Sequence, residues 1–570
     1  MKKLINFFGM MLLILTSTIF TSCEKDPVIP DVPGEQIEFK GFKSDSGIIV
    51  DDNTIRIVGS TLKENANEFI SYDLKDYVGK RVKIEFSCKM KISKSSDTFL
   101  LWQILDEKNK YPVVAFCMVN NNWTDISGSK TVTVEEGFLF YLSTHDILST
   151  HNIDYSNLNI DIKNISLKIS EPNQNPEDEW MVAPSLREAY EGKLDYIGMS
   201  VVDNEITNQN IQAGLKRHFN SITMGNEMKP DSIMGGSWST PTSFEKFTAS
   251  NGKEIEVPKN RLDFSKLENY LKKCKDNGLK MRGHVLVWHS QTPNWFFTKD
   301  YKGKGDYYSE EKINNKDLVD KDTMTARQEW YIKSVLEYIK DWEDKNNNGE
   351  RIIYCWDVVN EAAENGVLRS GSHWYSIYKS DEFIVNAFRF ANKYAPKDVL
   401  LAYNDYQEYN STKREMILKI IKSVQKHEND TVLPTRIDVM GMQSHNKYDN
   451  PTMQAYEDTI KIYLATGLDV HITELDIGAM TKNDAEDAQK LKKEYKDSFK
   501  LYLKYAKKGD EPGITSVTIW GITDGSTWLN NDDQQPWLNN IKPQYPLLFD
   551  DDYYAKPAFY GVLEAAQESN

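Results

Sequence analysis

Between residues 196 and 524 eight short apolar runs alternate with amphipathic segments, and that alternation leaves few folds open to the chain. The runs are YIGMSVV from 196, SITM from 221, MRGHVLVW from 281, IIYCWDVV from 352, VLLAYND from 399, IDVMGMQS from 437, DVHITELD from 469 and SVTIWGITD from 516. Segments between them, such as LENYLKKCKDNGLK and ARQEWYIKSVLEYIKDW, carry helical periodicity. Strands alternating with helices predict parallel pairing, and eight of them predict a closed (β/α)8 TIM barrel. A doubly wound sheet would alternate similarly, but no glycine-rich phosphate loop follows the first run. Barrel chemistry is carried at the C-terminal ends of strands. Polar residues gather at those ends here: Asn226 and Lys229, His284 and His289, Asn360 and Glu361, Asn404 and Asp405, Gln443 and His445, Glu474 and Asp476, then Trp520 and Asp524.

At 570 residues the chain exceeds what a single core usually supports, so a second domain is expected. Residues 38–170 supply it. Runs such as TIRIVGS, RVKIEFSCKMKI, YPVVAFCMV and LNIDIKNISLKI alternate apolar and polar with period two between Asn, Asp, Gly and Ser turns, which predicts a small antiparallel β-sandwich ahead of the barrel. Residues 171–182, rich in Pro and Asn, read as a linker to a barrel at 183–567, and the Pro-rich residues 23–37 as an extended tether. Residues 1–22 open with Met1-Lys2-Lys3, continue with an apolar run from Leu4 to Phe20 and reach Thr21-Ser22 before Cys23, the pattern of an export signal. That ending resembles the cleavage site of bacterial lipoproteins, apart from Phe20 where the motif usually has Leu. The resemblance implies acylation of Cys23 and a lipid anchor in a membrane. Glu24-Lys25-Asp26 resembles the acidic tract that directs some lipoproteins to the outer face of the outer membrane, so an exported, cell-surface protein is expected. No CxxC or Cys/His ligand spacing occurs, so no structural zinc is expected; Cys88 and Cys117 share one domain and either pair or stay as buried thiols.

A net charge of −16 speaks against a nucleic-acid partner, whose phosphates demand a basic face. Thirteen Trp and thirty Tyr suit a carbohydrate, since sugar rings stack their C–H faces on aromatic rings. YCWDVVNE and DVHITELD each set a glutamate just past a strand-like stretch, Glu361 and Glu474. Cleavage of a glycosidic bond needs two such carboxyls, one to protonate the leaving oxygen and one to attack or stabilise the anomeric carbon. As isolated residues both read equally well as ordinary strand-end acids.

The surrounding motifs resemble glycoside hydrolase family 10, the (β/α)8 endo-β-1,4-xylanases. NEMK at 226, RGHVLVWHSQTPNW from 282, WDVVNEA from 356, YNDY from 403, GMQSH from 441, ITELDI from 472, WGITD from 520 and KPAF from 556 occur in the family's order between about 183 and 566. The resemblance implies endo-hydrolysis of xylan with retention, Glu361 as acid/base and Glu474 as nucleophile, the carboxyls ~5–5.5 Å apart. It implies that His445 and Asp476 orient the nucleophile and that Asn360 bonds the sugar 2-hydroxyl. It also implies that Asn226, Lys229, His284 and Gln291 bind the glycone side and that Trp288, Trp520 and Trp528 wall it. Gln443 and Asn404 resemble binders near the cleavage point, and Tyr406 an aromatic platform on the aglycone side. A proton must sit on Glu361, so its pKa is expected to be raised by the Glu474 anion and by desolvation. The family usually reads Glu-Asn-x-Met-Lys where this chain has Gly225, which implies altered grip on the second glycone sugar.

The implied chemistry needs no cofactor and no metal. Asp344, Asn346, Asn348 and Gly349 follow half of a calcium-loop pattern, but Cys355 stands where a bidentate glutamate belongs, and a polar turn is expected. The sandwich resembles carbohydrate-binding modules, with Trp102, Tyr111 and Trp123 as candidate platform residues or core. The loops at 234–260 and 297–322 look longer than the family core requires. The reading is a monomeric, membrane-anchored xylanase acting on xylan or xylo-oligosaccharides. A related endo-glucanase and a glycan-capturing lipoprotein are the alternatives.

Overall fold

The computed structural model describes residues 21–22, 35–37, 41–44, 47–51, 53–62, 68–95, 98–106, 113–144, 157–170, 177–309, 312–478, 485–530 and 544–569. Cys23, most of the tether and Tyr111 lie outside the described residues. By compactness the chain forms two units. One comprises Met1–Ala183 with Gly478–Leu491 and Thr523–Pro557, the other Pro184–Ile477 with Lys492–Ile522 and Ala558–Asn570.

The first unit holds two antiparallel sheets. One has seven strands, with Arg81–Ile92 paired to Thr124–Thr133 on one side and Asn159–Ser170 on the other. The second has four, in the order Glu68–Asp73, Leu139–Ser143, Thr98–Ile104, Val113–Val119. Period-two alternation does the sorting: along Arg81–Ile92 every second residue, Val82 through Ile92, is buried. Trp102 belongs to this core. It is wholly buried, its ring centroid 4.4 Å from Phe86 and 5.0 Å from Phe140, and its indole N–H points at the Met90 sulfur at 3.3 Å. It therefore cannot serve as a sugar platform. Trp123 is 37% exposed, with the ammonium groups of Lys91 and Lys163 4.8 and 4.1 Å from its ring centroid. Cys88 and Cys117 are buried free thiols.

The second unit is the barrel. Its strands are β1 (Tyr196–Val201), β2 (Ser221–Met224), β3 (Lys280–Trp288), β4 (Ile353–Asn360), β5 (Leu400–Asp405), β6 (Val439–Met442), β7 (Asp469–Gly478) and β8 (Ile514–Ile519). Neighbours pair in parallel around the ring, and β8 closes onto β1 through Tyr196 opposite Ser516. β2, β4, β6 and β8 are buried at every position, so these runs are apolar apart from small hydroxyl side chains and Asp357 and Asn360 of β4. β6 stops at Met442, two residues short of the expected run, because Ser444 turns the chain with φ 59°. A hairpin, Phe244–Thr248 with Glu254–Pro258, is inserted between β2 and β3. The calcium-like stretch is the C-terminal end of a helix, Lys321–Asn346, where the Asp344 carboxylate is bonded to Lys340 and, at 2.6 Å, to Arg351.

Candidate active site

Glu361 follows the last residue of β4 with left-handed backbone, φ 57°, a conformation costing a non-glycine residue roughly 1–2 kcal/mol. It is held there by its N–H donating to the Asn404 carbonyl at 2.9 Å and by the N–H groups of Ala362 and Ala363 donating to the Tyr403 hydroxyl, 3.1 Å each. Gln291, Gln407 and Ser444 share the positive φ, each just past a strand end. At these four positions the strain lies on the face where the polar residues gather.

Three amides join the two glutamates. Asn360 Nδ2 donates to Glu361 Oε1 at 3.2 Å, and its Oδ1 accepts from Asn404 Nδ2 at 2.9 Å and from Gln443 Nε2 at 3.1 Å. Asn404 Nδ2 also donates to Glu474 Oε1 at 2.8 Å, and Gln443 Nε2 to Glu361 Oε1 at 2.9 Å. The Thr473 hydroxyl donates to Asn404 Oδ1 at 2.7 Å, which fixes the orientation of that amide and, through it, of Asn360. The remaining oxygen of Glu361 accepts from the Trp288 indole at 3.0 Å.

Behind Glu474 lies His445, whose Nε2 is 3.2 Å from Glu474 Oε2 and whose Nδ1 is 3.0 Å from Asp476 Oδ1. Burial disfavours charge on this imidazole, but Asp476 and Glu474 together raise its pKa to about 10, so it is an imidazolium donating from both nitrogens. Burial likewise works against the Glu474 anion, yet the His445 hydrogen bond and the fields of His284, His445 and Arg282 hold the carboxyl at about 2. The pair therefore stabilises the fold in full between the ordinary values of 4.5 and 6.5. The Glu474 share is lost as pH falls toward 2, and the His445 share as pH rises through 10.

Glu361 departs from expectation. Burial pushes its carboxyl up, but His289, Gln443, Lys413 and Trp288 outweigh it, and the group lies below its ordinary value in the free site. Burial holds His289 itself at about 3, so at working pH the Gln443 and Trp288 donors and the Lys413 ammonium are what remain.

The other expected residues surround this centre. Lys229, buried and lowered in pKa by desolvation, donates to Asn226 Oδ1 at 3.1 Å and stands 5.1 Å from the Trp288 ring centroid. His284 Nδ1 donates to Asp357 at 2.8 Å, and its ring meets Trp520 edge-on at 5.6 Å. The Tyr406 hydroxyl accepts from Arg369 Nη2 at 2.9 Å, and Arg369 Nε donates to the Glu361 carbonyl at 3.0 Å. Gln291 is fixed by its backbone, its carbonyl accepting from Asp231 at 2.7 Å and its N–H donating to Asp306 at 3.3 Å. Trp528, half-buried in the turn Trp528–Asn530, belongs to the other compact unit. Sequence reasoning missed Arg282, Asp357, Arg369 and Lys413. Arg282 and Asp357 carried a signal, a charge within an otherwise mostly apolar strand run, since such charges are rarely buried unpaired.

Among the described residues His284, Asp357 and Glu474 form the one trio whose donor atoms lie close enough, within 4.8 Å, to hold a metal ion. The Arg282 guanidinium is bonded to Asp357 and to the Thr473 carbonyl in the same cluster and supplies its positive charge. The trio reads as anions neutralised by a buried arginine rather than as a cation site.

A family profile described as glycosyl hydrolase family 10 matches residues 185–565. Endo-1,4-beta-xylanase B of Butyrivibrio fibrisolvens is 37% identical over 352 residues, which are 62% of this chain and 48% of that protein. This chain thus spans about half the length of that curated relative. The crystal structure of an endo-1,4-beta-xylanase from Caldicellulosiruptor owensensis covers 67% of the chain and 99% of its own at 30% identity and TM-score 0.51. The Clostridium thermocellum CBM22-1 and GH10 modules complexed with xylohexaose cover 94% of the chain and 97% of their own, at 24% identity and TM-score 0.52, a likeness of fold. The strand ends, the paired glutamates and the matched span agree: the chain belongs to glycosyl hydrolase family 10.

Proposed function

We propose that the protein is a retaining endo-β-1,4-xylanase. The observation that carries the reading is a pair of glutamates joined by one amide network: Glu474 is locked as an anion by an imidazolium, and Glu361 accepts from the Trp288 indole and the Gln443 and Asn360 amides. Glu474 attacks the anomeric carbon while Glu361 gives its proton to the leaving oxygen. Glu361 then takes a proton from the water that hydrolyses the ester. Once Glu474 is esterified its charge is gone, which favours ionised Glu361 at the moment a base is needed. Asn360, with its Oδ1 saturated by Asn404 and Gln443, presents only N–H to a sugar 2-hydroxyl.

Time-resolved products from arabinoxylan, glucuronoxylan and barley β-glucan test the substrate. A ladder of xylo-oligosaccharides with early loss of viscosity is expected. Cleavage of the glucan alone would transfer the assignment to the related endo-glucanase, and cleavage of no polymer would leave a glycan-capturing protein.

The pH profile follows from the free-site balance at Glu361. Substrate excludes water and strengthens the burial that pushes this carboxyl up, so the alkaline limb of kcat is expected at higher pH than that of kcat/KM. Coincident limbs would contradict a proton supplied to Glu361 by substrate closure.

We further propose that residues 1–22 are removed, that Cys23 is acylated and that 23–37 tether the sandwich at 38–170, the linker at 171–182 and the barrel at 183–567 outside the cell as a monomer, the sandwich holding polymer. Metabolic labelling with radioactive palmitate, absent in Cys23→Ser, tests the anchor.

A further inference from the structure

The segment that follows β3 carries an aromatic side chain that none of the roles above uses. Tyr308 is 67% exposed, yet its backbone is tightly built. The Asp306 carboxylate accepts from the N–H of Tyr308 at 3.2 Å, from the Ser309 hydroxyl at 3.1 Å and from the N–H of Gln291 at 3.3 Å, which ties this turn to the strand end. Gly305, with φ 76°, donates its N–H to the Ser237 carbonyl at 3.0 Å, and its own carbonyl accepts from Asn294 at 2.8 Å. An exposed ring on a fixed backbone costs little ordering entropy when it meets a ligand.

Its neighbours place it beside the acid/base. The Tyr308 hydroxyl is 3.4 Å from Nε2 of His289, the residue after Trp288, whose indole holds Glu361. His289 is buried, and its Nδ1 has no hydrogen-bond partner among the described residues. The side chain as a whole is exposed, but desolvation at its hydroxyl end, where it meets His289, pushes the phenol up to about 12, and the charges of Glu361, Arg369 and Tyr406 act on it. Arg369 in turn bridges the Glu361 carbonyl and the Tyr406 hydroxyl. Arg369 holds Tyr406, the platform expected on the aglycone side, so Tyr308, acted on by Glu361, Arg369 and Tyr406, is grouped with that platform rather than with Lys229 and Asn226.

We propose that Tyr308 is a specificity-determining residue that, with Tyr406, gives the sugar on the leaving-group side an aromatic contact supplied by the loop after β3. The inference rests on the xylanase reading. Stacking of a sugar face on the ring adds binding energy only when the leaving group is itself a sugar, and a compact aryl leaving group forgoes most of it.

The test compares xylotetraose with a nitrophenyl β-xylobioside. In Tyr308→Ala the ratio of kcat/KM on the tetraose to kcat/KM on the aryl glycoside is expected to fall about three- to tenfold, the range of one aromatic contact, mostly through KM. Tyr308→Trp, which keeps a stacking face, is expected to hold the ratio near wild type. An unchanged ratio in Tyr308→Ala, or an equal fall in Tyr308→Trp, overturns the proposal. Failure of the wild-type protein to cleave xylotetraose would instead sink the xylanase reading.

Discussion

Glu474→Ala is expected to lower kcat on xylan by on the order of 10^5, comparable to the loss of a nucleophile in other two-step hydrolases. Glu474 is the acceptor of Asn404 Nδ2 and the partner of the His445 imidazolium, so its removal takes away the attacking oxygen and leaves both donors in place. KM should change little, because Lys229, His284 and Asn360 keep their own hydrogen bonds. The vacated volume lies where the nucleophile approached the sugar, so azide added to the variant should attack an activated aryl xylobioside from that face and give the α-glycosyl azide, readable by proton NMR. Loss of Glu474 also removes one of the two anions that hold His445 charged, so its imidazole should titrate lower than in the wild type. A β-configured azide, or activity within a hundredfold of wild type, would remove Glu474 from the nucleophile's role. Glu474→Gln, nearly isosteric, checks that the loss is not misfolding.

Much of this architecture is local and was legible. Eight apolar runs place the barrel strands because a strand buried on both faces admits little else, and the glutamates follow from their position just past β4 and within β7. Glu474 and Asp476 both address His445 because side chains two apart on a strand share a face. Trp102 was less readable, because Leu100 through Ile104 are buried at every position and no alternation sets its face apart. What stayed hidden depends on distant strands. The donors that lower the pKa of Glu361 come from Trp288, 73 residues before it, and Gln443, 82 residues after it, and no local pattern ranks their hydrogen bonds against burial. Tyr308 was hidden for another reason, since a turn held by Asp306 has no periodicity to betray which side chain it displays.

Glu361→Ala should separate the two halves of the reaction. On xylan, whose leaving sugar needs a proton, kcat/KM is expected to fall about 10^3-fold, within the usual range for a positioned acid. On an aryl xylobioside with an acidic phenol, departure needs little assistance and the first step should survive. The second step still lacks its base. The glycosyl-enzyme on Glu474 should therefore accumulate, seen as a burst of phenol followed by slow turnover with a lowered KM. The substitution frees the Trp288 indole and the Gln443 amide, and the volume vacated by the carboxyl can hold water for both, so the fold should persist. Azide, which needs no base, should restore turnover and give the β-glycosyl azide, opposite in configuration to the product from Glu474→Ala. The alkaline limb of kcat should vanish with the carboxyl that sets it. Equal losses on both substrates, or an α product, would mean that Glu361 binds substrate rather than shuttling its proton.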